Sequence, residues 1–130
     1  MDNKIMPVSV SWDNESRTVL CFRISGYWTW QEFNWAWLES MAMMRSVPHT
    51  VNTIVDLSQV SNFPLDLLTR SVQYVRSQPR NWGISIFSTT NSFLTLMFST
   101  FRSMAPREST RLQFAPSMEV ARQTLAALPH

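Results

Sequence analysis

Between residues 6 and 12, Val8, Val10 and Trp12 alternate with Ser9 and Ser11, the period of two that predicts a half-buried strand. Asp13, Asn14, Glu15 and Ser16 form a turn cluster. The string RTVLCFRIS over 17–25 predicts a second strand, so the pair reads as an antiparallel hairpin closed by Gly26. Thr29-Trp30-Gln31-Glu32 has the form of a capping box, in which the Thr hydroxyl and the Glu carboxylate satisfy helix-end amides reciprocally. A helix over 30–45 follows, with Trp30, Phe33, Trp37, Met41 and Met44 on one face. Val47-Pro48-His49-Thr50 ends it. The β-branched run NTIVDL (52–57) predicts a strand buried on both faces, 58–63 a loop, and 65–77 a helix with Pro64 in its first turn and Leu65, Leu68, Val72 and Val75 inward. Another buried strand is expected at 82–87. Thr89, Thr90 and Asn91 are cap candidates for a helix striped by Phe93, Leu94, Met97, Phe98, Phe101 and Met104. A short strand at 111–114 leads into a terminal helix opened by Pro116 and Ser117 and ended by Pro129.

The order β-β-α-β-α-β-α-β-α predicts an α/β fold: a mixed, mostly parallel sheet of about five strands with four helices. At 130 residues, 45% hydrophobic and only 15% charged, the chain has core material for one domain spanning 1–130. Two glycines exclude phosphate-cradling loops built on several glycines. One cysteine, Cys21, and two histidines, His49 and His130, leave no metal site or cofactor to expect. The net charge of +2 comes from basic residues scattered from end to end, so no nucleic-acid footprint is expected. No run reaches the ~18 apolar residues of a membrane span, and nothing at the N-terminus reads as a secretory signal, so a cytoplasmic protein is expected.

The string IVDLSQVSNF (54–63), preceded by a hairpin and followed by a helix, resembles the central strand and loop of the STAS domain, the fold of SpoIIAA-like anti-sigma-factor antagonists. The tail RLQFAPSMEVARQTL (111–125) resembles the closing segment of that fold. The resemblance implies a non-catalytic regulatory module that binds a protein partner through the loop and helix after the third strand. In signalling members a Ser or Thr at the start of that helix is phosphorylated. Here the corresponding positions are Pro64, Leu65, Asp66 and Leu67, without a hydroxyl, so Asp66 would offer a permanent negative charge near a helix N-terminus.

In open α/β sheets, ligands and partners gather at the carboxyl ends of the strands. The loops at 26–29, 58–63 and 88–92 should meet there. Candidate partner-binding residues are Ser58, Ser61, Asn62, Asp66 and Arg70, with Asp66 and Arg70 spaced as a helix-surface pair. Trp28 and Trp35 join them as an aromatic contact surface, because Trp35 falls roughly 140° from Trp30 on the helix, near the phase of Glu32 and Glu39. The alternative is a carrier or sensor of a small apolar ligand, its pocket rimmed by Thr89, Thr90 and Asn91. Ser92, Thr95, Ser99 and Ser103 make a small, neutral helix face that would suit a homodimer. Enzyme chemistry is not expected: Asp56, Glu39 and His49 show no catalytic spacing, and Cys21 lies mid-strand.

Overall fold

The computed structural model describes residues 6–129. Strands β1 (Val8–Trp12), β2 (Val19–Gly26), β3 (Val51–Val60), β4 (Trp82–Ser88) and β5 (Leu112–Ala115) form one sheet in chain order. β1 runs antiparallel to β2, and the remaining pairs are parallel. The helices are α1 (Trp30–Arg45), α2 (Leu67–Arg76), α3 (Ser92–Met104), α4 (Pro106–Ser109) and α5 (Met118–Ala126). The predicted α/β architecture is thus present, with one helix more than the pattern suggested. α4 is a single turn carrying Pro106 in its first position, too short to show a hydrophobic period.

Two boundaries move for physical reasons. β3 continues to Val60, because Gln59 and Val60 still pair with Ser25 and Gly26 of β2 beyond a bulge. Ser58 therefore lies in a strand, not in a loop. α2 begins at Leu67 instead of at residue 65: the Leu67 amide bonds the Pro64 carbonyl in a turn, and the Asp66 side chain makes no cap bond. α1 keeps its predicted limits. Thr29 Oγ1 accepts the Glu32 amide at 3.2 Å while Glu32 Oε1 accepts the Thr29 amide at 2.9 Å, the reciprocal cap expected.

Parallel pairing puts Leu20 beside Thr53 and Phe22 beside Val55 on one face, and Cys21 beside Ile54 on the other. On the first face Phe22 meets Phe33 of α1, and Phe114 of β5 meets Phe98 of α3. α1, α2 and α3 therefore share that face. On the second face α5 lays Ala121 and Leu125 against Ile54, Ile86 and Ala115. Arg122 of α5 reaches the β1–β2 turn, with both contacts to the Asp13 carboxylate at 2.9 Å. Gly83 is required by close approach: a Cβ there would lie 2.1 Å from Asn52 Oδ1, which accepts the Ile84 amide at 2.9 Å.

Candidate functional site

The carboxyl ends of β2 and β3 are clamped together. The Trp28 amide donates to Asn62 Oδ1 at 2.9 Å, Asn62 Nδ2 donates to the Trp28 carbonyl at 3.1 Å, and the Trp28 indole donates to the Asn62 carbonyl at 3.1 Å. The Ser61 amide bonds the Gly26 carbonyl at 2.8 Å. Gly26 holds φ at +64°, a left-handed turn suited to glycine. One step along, Asp66 sits between two cations or donors from different elements. Its Oδ1 accepts the Trp30 indole N–H at 2.9 Å and its Oδ2 accepts Arg70 Nε at 2.7 Å. The Arg70 guanidinium also lies over the Trp30 ring, 5.4 Å from its centroid. The Trp30 bond first, and Arg70 second, hold the Asp66 carboxyl below the usual carboxylate range.

The structure thus brings together Trp28, Ser61, Asn62, Asp66 and Arg70, and it corrects the role of Trp28. Trp28 is 6% exposed, its ring packed against Trp30 and Phe33, so it cannot offer a face to a partner. Its neighbour Tyr27 is the exposed aromatic of that loop. Ser58 stays exposed on its strand, its hydroxyl donating to Asp56 Oδ1 at 2.7 Å. Trp35 is 54% exposed beside exposed Leu38 on the outer side of α1. Among the described residues, no hydrogen bond or aromatic contact joins it to the Asp66 cluster. At the same end of the sheet, Leu65, Phe93 and Leu96 project into solvent, and Phe93 leans on Phe63 with ring centroids 5.3 Å apart. Phe93 and Met104 were expected inside; both are about half exposed.

Beneath this edge, between the sheet and α1, α2 and α3, runs an apolar cavity in two adjoining lobes of about 110 and 120 Å³. Leu57, Leu67, Ser71, Val75, Phe87 and Leu94 line both lobes. The larger lobe is walled by aromatic rings, including Trp30, Phe33, Trp37 and Tyr74, which meet edge to face at 4.8–5.6 Å. Burial pushes the Tyr74 phenol up from its ordinary value, and its hydroxyl donates to Asn34 Oδ1 at 3.0 Å. Thr89, Thr90 and Asn91 do not rim this cavity. Thr89 is buried and Oγ1 accepts the Asn91 amide at 3.0 Å, while Asn91 Oδ1 caps α3 by accepting the Phe93 and Leu94 amides. Tyr74, Phe63, Leu57 and Gln78 escaped the sequence reading. Leu57 was placed in the core strand and Leu67, Tyr74 and Gln78 fell outside the expected α2 stripe, so only the tertiary arrangement joins them.

The geometry can be set beside known proteins at this point. A crystal structure of an uncharacterized protein from the DUF3478 family, with a SpoIIAA-like fold, from Shewanella loihica PV-4, superposes with a TM-score of 0.68 over 96% of this chain and 98% of that chain, at 9% identity. The fold is SpoIIAA-like. No family model matches the sequence, and no curated protein matches it. At that identity the likeness covers architecture alone, which the STAS resemblance of 54–63 and 111–125 anticipated. Among the described residues no group of three metal-ligating side chains comes together, and no helix is long and apolar enough to cross a membrane. His49 sits away from the clamp, its Nε2 within 2.8 Å of the Arg17 carbonyl, and Cys21 is buried with its thiol pushed up by desolvation.

Proposed function

We propose that this chain is a single-domain, non-catalytic regulatory module that engages a protein partner through the carboxyl edge of its SpoIIAA-like sheet. The observation that carries the reading is the grouping, on one edge, of the exposed apolar side chains Tyr27, Leu65, Phe93 and Leu96 around the charged pair Asp66 and Arg70. Exposed apolar side chains beside a directional ion pair are the composition of a protein-binding patch. The clamp between Trp28 and Asn62 and the bond from Trp30 to Asp66 hold the loops in place before binding, which lowers the ordering cost of association. The carboxylates of Asp66 and Glu32 on this edge are both engaged by neighbouring donors, and among the described residues it carries no histidine or cysteine, which favours recognition over acid–base chemistry.

The test is capture of partners from a lysate by the wild-type chain, by a Leu65→Ser, Phe93→Ser double variant, and by Trp35→Ser as a control on the outer side of α1. The reading expects one protein recovered near stoichiometry with wild type and Trp35→Ser and lost with the double variant, whose fold is checked by circular dichroism. Equal recovery with all three chains, or no stoichiometric partner at all, overturns it.

A further inference from the structure

We propose that the cavity between the sheet and α1, α2 and α3 is a binding site for a neutral aromatic molecule bearing one hydrogen-bond donor, which it gives to the side-chain oxygen of Gln78. This inference is independent of the partner-binding edge. Protein interiors rarely leave voids larger than a water molecule, and an apolar cavity of roughly 150 Å³ is enough to take up benzene. Here two adjoining lobes of about 110 and 120 Å³ lie under one helical layer. Sharing lining residues, the two lobes together offer room for a fused pair of rings.

The lining specifies the ligand's chemistry. No charged side chain lines either lobe, so a charged molecule would be desolvated without a partner. The aromatic walls offer ring faces and edges to another ring. Four polar groups of the lining are already engaged: the Trp28 indole by the Asn62 carbonyl, the Trp30 indole by Asp66, the Tyr74 hydroxyl by Asn34, and the Ser71 hydroxyl by the Leu67 carbonyl at 2.6 Å. Gln78 differs. It lines the larger lobe just beyond the C-terminus of α2, and its Oε1 is buried with no hydrogen-bond partner. Among the described residues no other buried side-chain oxygen or nitrogen lacks one. An orphaned buried acceptor costs its full desolvation unless something supplies a donor, and a ligand hydroxyl or ring N–H would do so. Gln78 lies toward the amino ends of the strands, whereas Trp28 and Phe63 line the lobe at the carboxyl end. A ligand would therefore lie along the sheet with its donor pointing away from the edge.

Three probes test this by calorimetric titration of the intact chain: 2-naphthol, naphthalene and 2-methoxynaphthalene. The expected result is saturable one-to-one binding of 2-naphthol about tenfold tighter than either analogue, the worth of one buried hydrogen bond. Gln78→Leu should erase that preference while leaving naphthalene binding within about threefold. Ser71→Leu, which places four carbons where the lobes meet, should abolish binding of all three while the melting temperature holds or rises, separating a filled cavity from a misfolded chain. No binding of 2-naphthol, a preference that survives Gln78→Leu, tighter binding of 2-methoxynaphthalene, or binding unaffected by a folded Ser71→Leu chain would each overturn the proposal.

Discussion

The two faces of this sheet are built from neighbouring residues of the same strands, yet they are packed differently. Toward α5, Ile54 and Ile86 are fully buried at 0% exposure, closed over by Ala121, itself at 0%, and Leu125. Toward α1, α2 and α3, the adjacent Val55, Leu57 and Phe87 remain only partly buried although three helices cover them. The cause is side-chain size at the contact. Ala121 lets α5 come down onto the strands, whereas bulky Trp, Phe and Tyr side chains hold α2 and α3 away from the sheet and leave space between their rings. Around Ile54 and Ile86 the core is filled, whereas beneath α1, α2 and α3 it has room in it.

The largest expected effect tests whether the α5 face is closed. Cys21 points to that face, 1% exposed, with its thiol pushed up by burial. A thiol reagent at pH 8 should modify native Cys21 at least about a thousandfold more slowly than the urea-unfolded chain, because reaction waits for opening of the fold. Labelling at the rate of a free thiol would show that this face is open too.

The next effect compares truncations. Ile86→Ala removes a side chain packed on all sides and should cost about 3–4 kcal/mol in urea unfolding. Leu57→Ala removes one that already borders empty space, so fewer contacts are lost and about 2 kcal/mol or less is expected. Equal costs would mean that the cavity closes up in solution. Insertions should reverse the order: Ala121→Leu forces three more heavy atoms into a closed contact and should destabilise by roughly 1–3 kcal/mol, while Ser71→Leu fills the cavity and should stabilise by about 1 kcal/mol.

The contrast also marks what could be read from sequence. Every strand and every helix of more than one turn was visible, because periods of two and 3.6, the Thr29 to Glu32 box and the stops at Pro48 and Pro79 act locally. The candidate loops were placed at the right edge, since element order alone sets which strand ends face together. What was hidden depends on distances between elements. Hydrophobic phase put Phe33 and Trp37 inward but could not say whether rings would meet the sheet or enclose space. Thr89 and Asn91 had the composition of a ligand rim and serve the chain's own amides instead, an ambiguity built into these side chains. Trp28 reads as part of a contact surface with Trp35, and the clamp to Asn62, 34 residues away, buries it. The arginines, scattered in sequence, partly converge in space: Arg76, Arg107 and Arg111 border one depression with Glu108, where Arg76 Nε meets Glu108 Oε1 at 3.0 Å.

The smallest expected effect concerns the rim of the looser face, where Asp66 fastens α1 to α2 through Trp30 and Arg70. Because the folded chain holds this carboxyl below its ordinary range, it binds fewer protons there than the unfolded chain. The stabilisation is therefore fully present above the ordinary carboxylate pKa and is lost as the pH falls through the lowered folded value, below about pH 4. Asp66→Asn keeps the shape and removes the charge. At pH 7 its urea midpoint should lie slightly below that of wild type, since the ion pair is fully exposed and screened. Below about pH 4 the two midpoints should converge as the wild-type carboxyl takes up its proton. A gap that stays unchanged however far the pH falls below about 4 would show that the charge of Asp66 does not fasten the two helices, and that the open face is held at its rim by the rings alone.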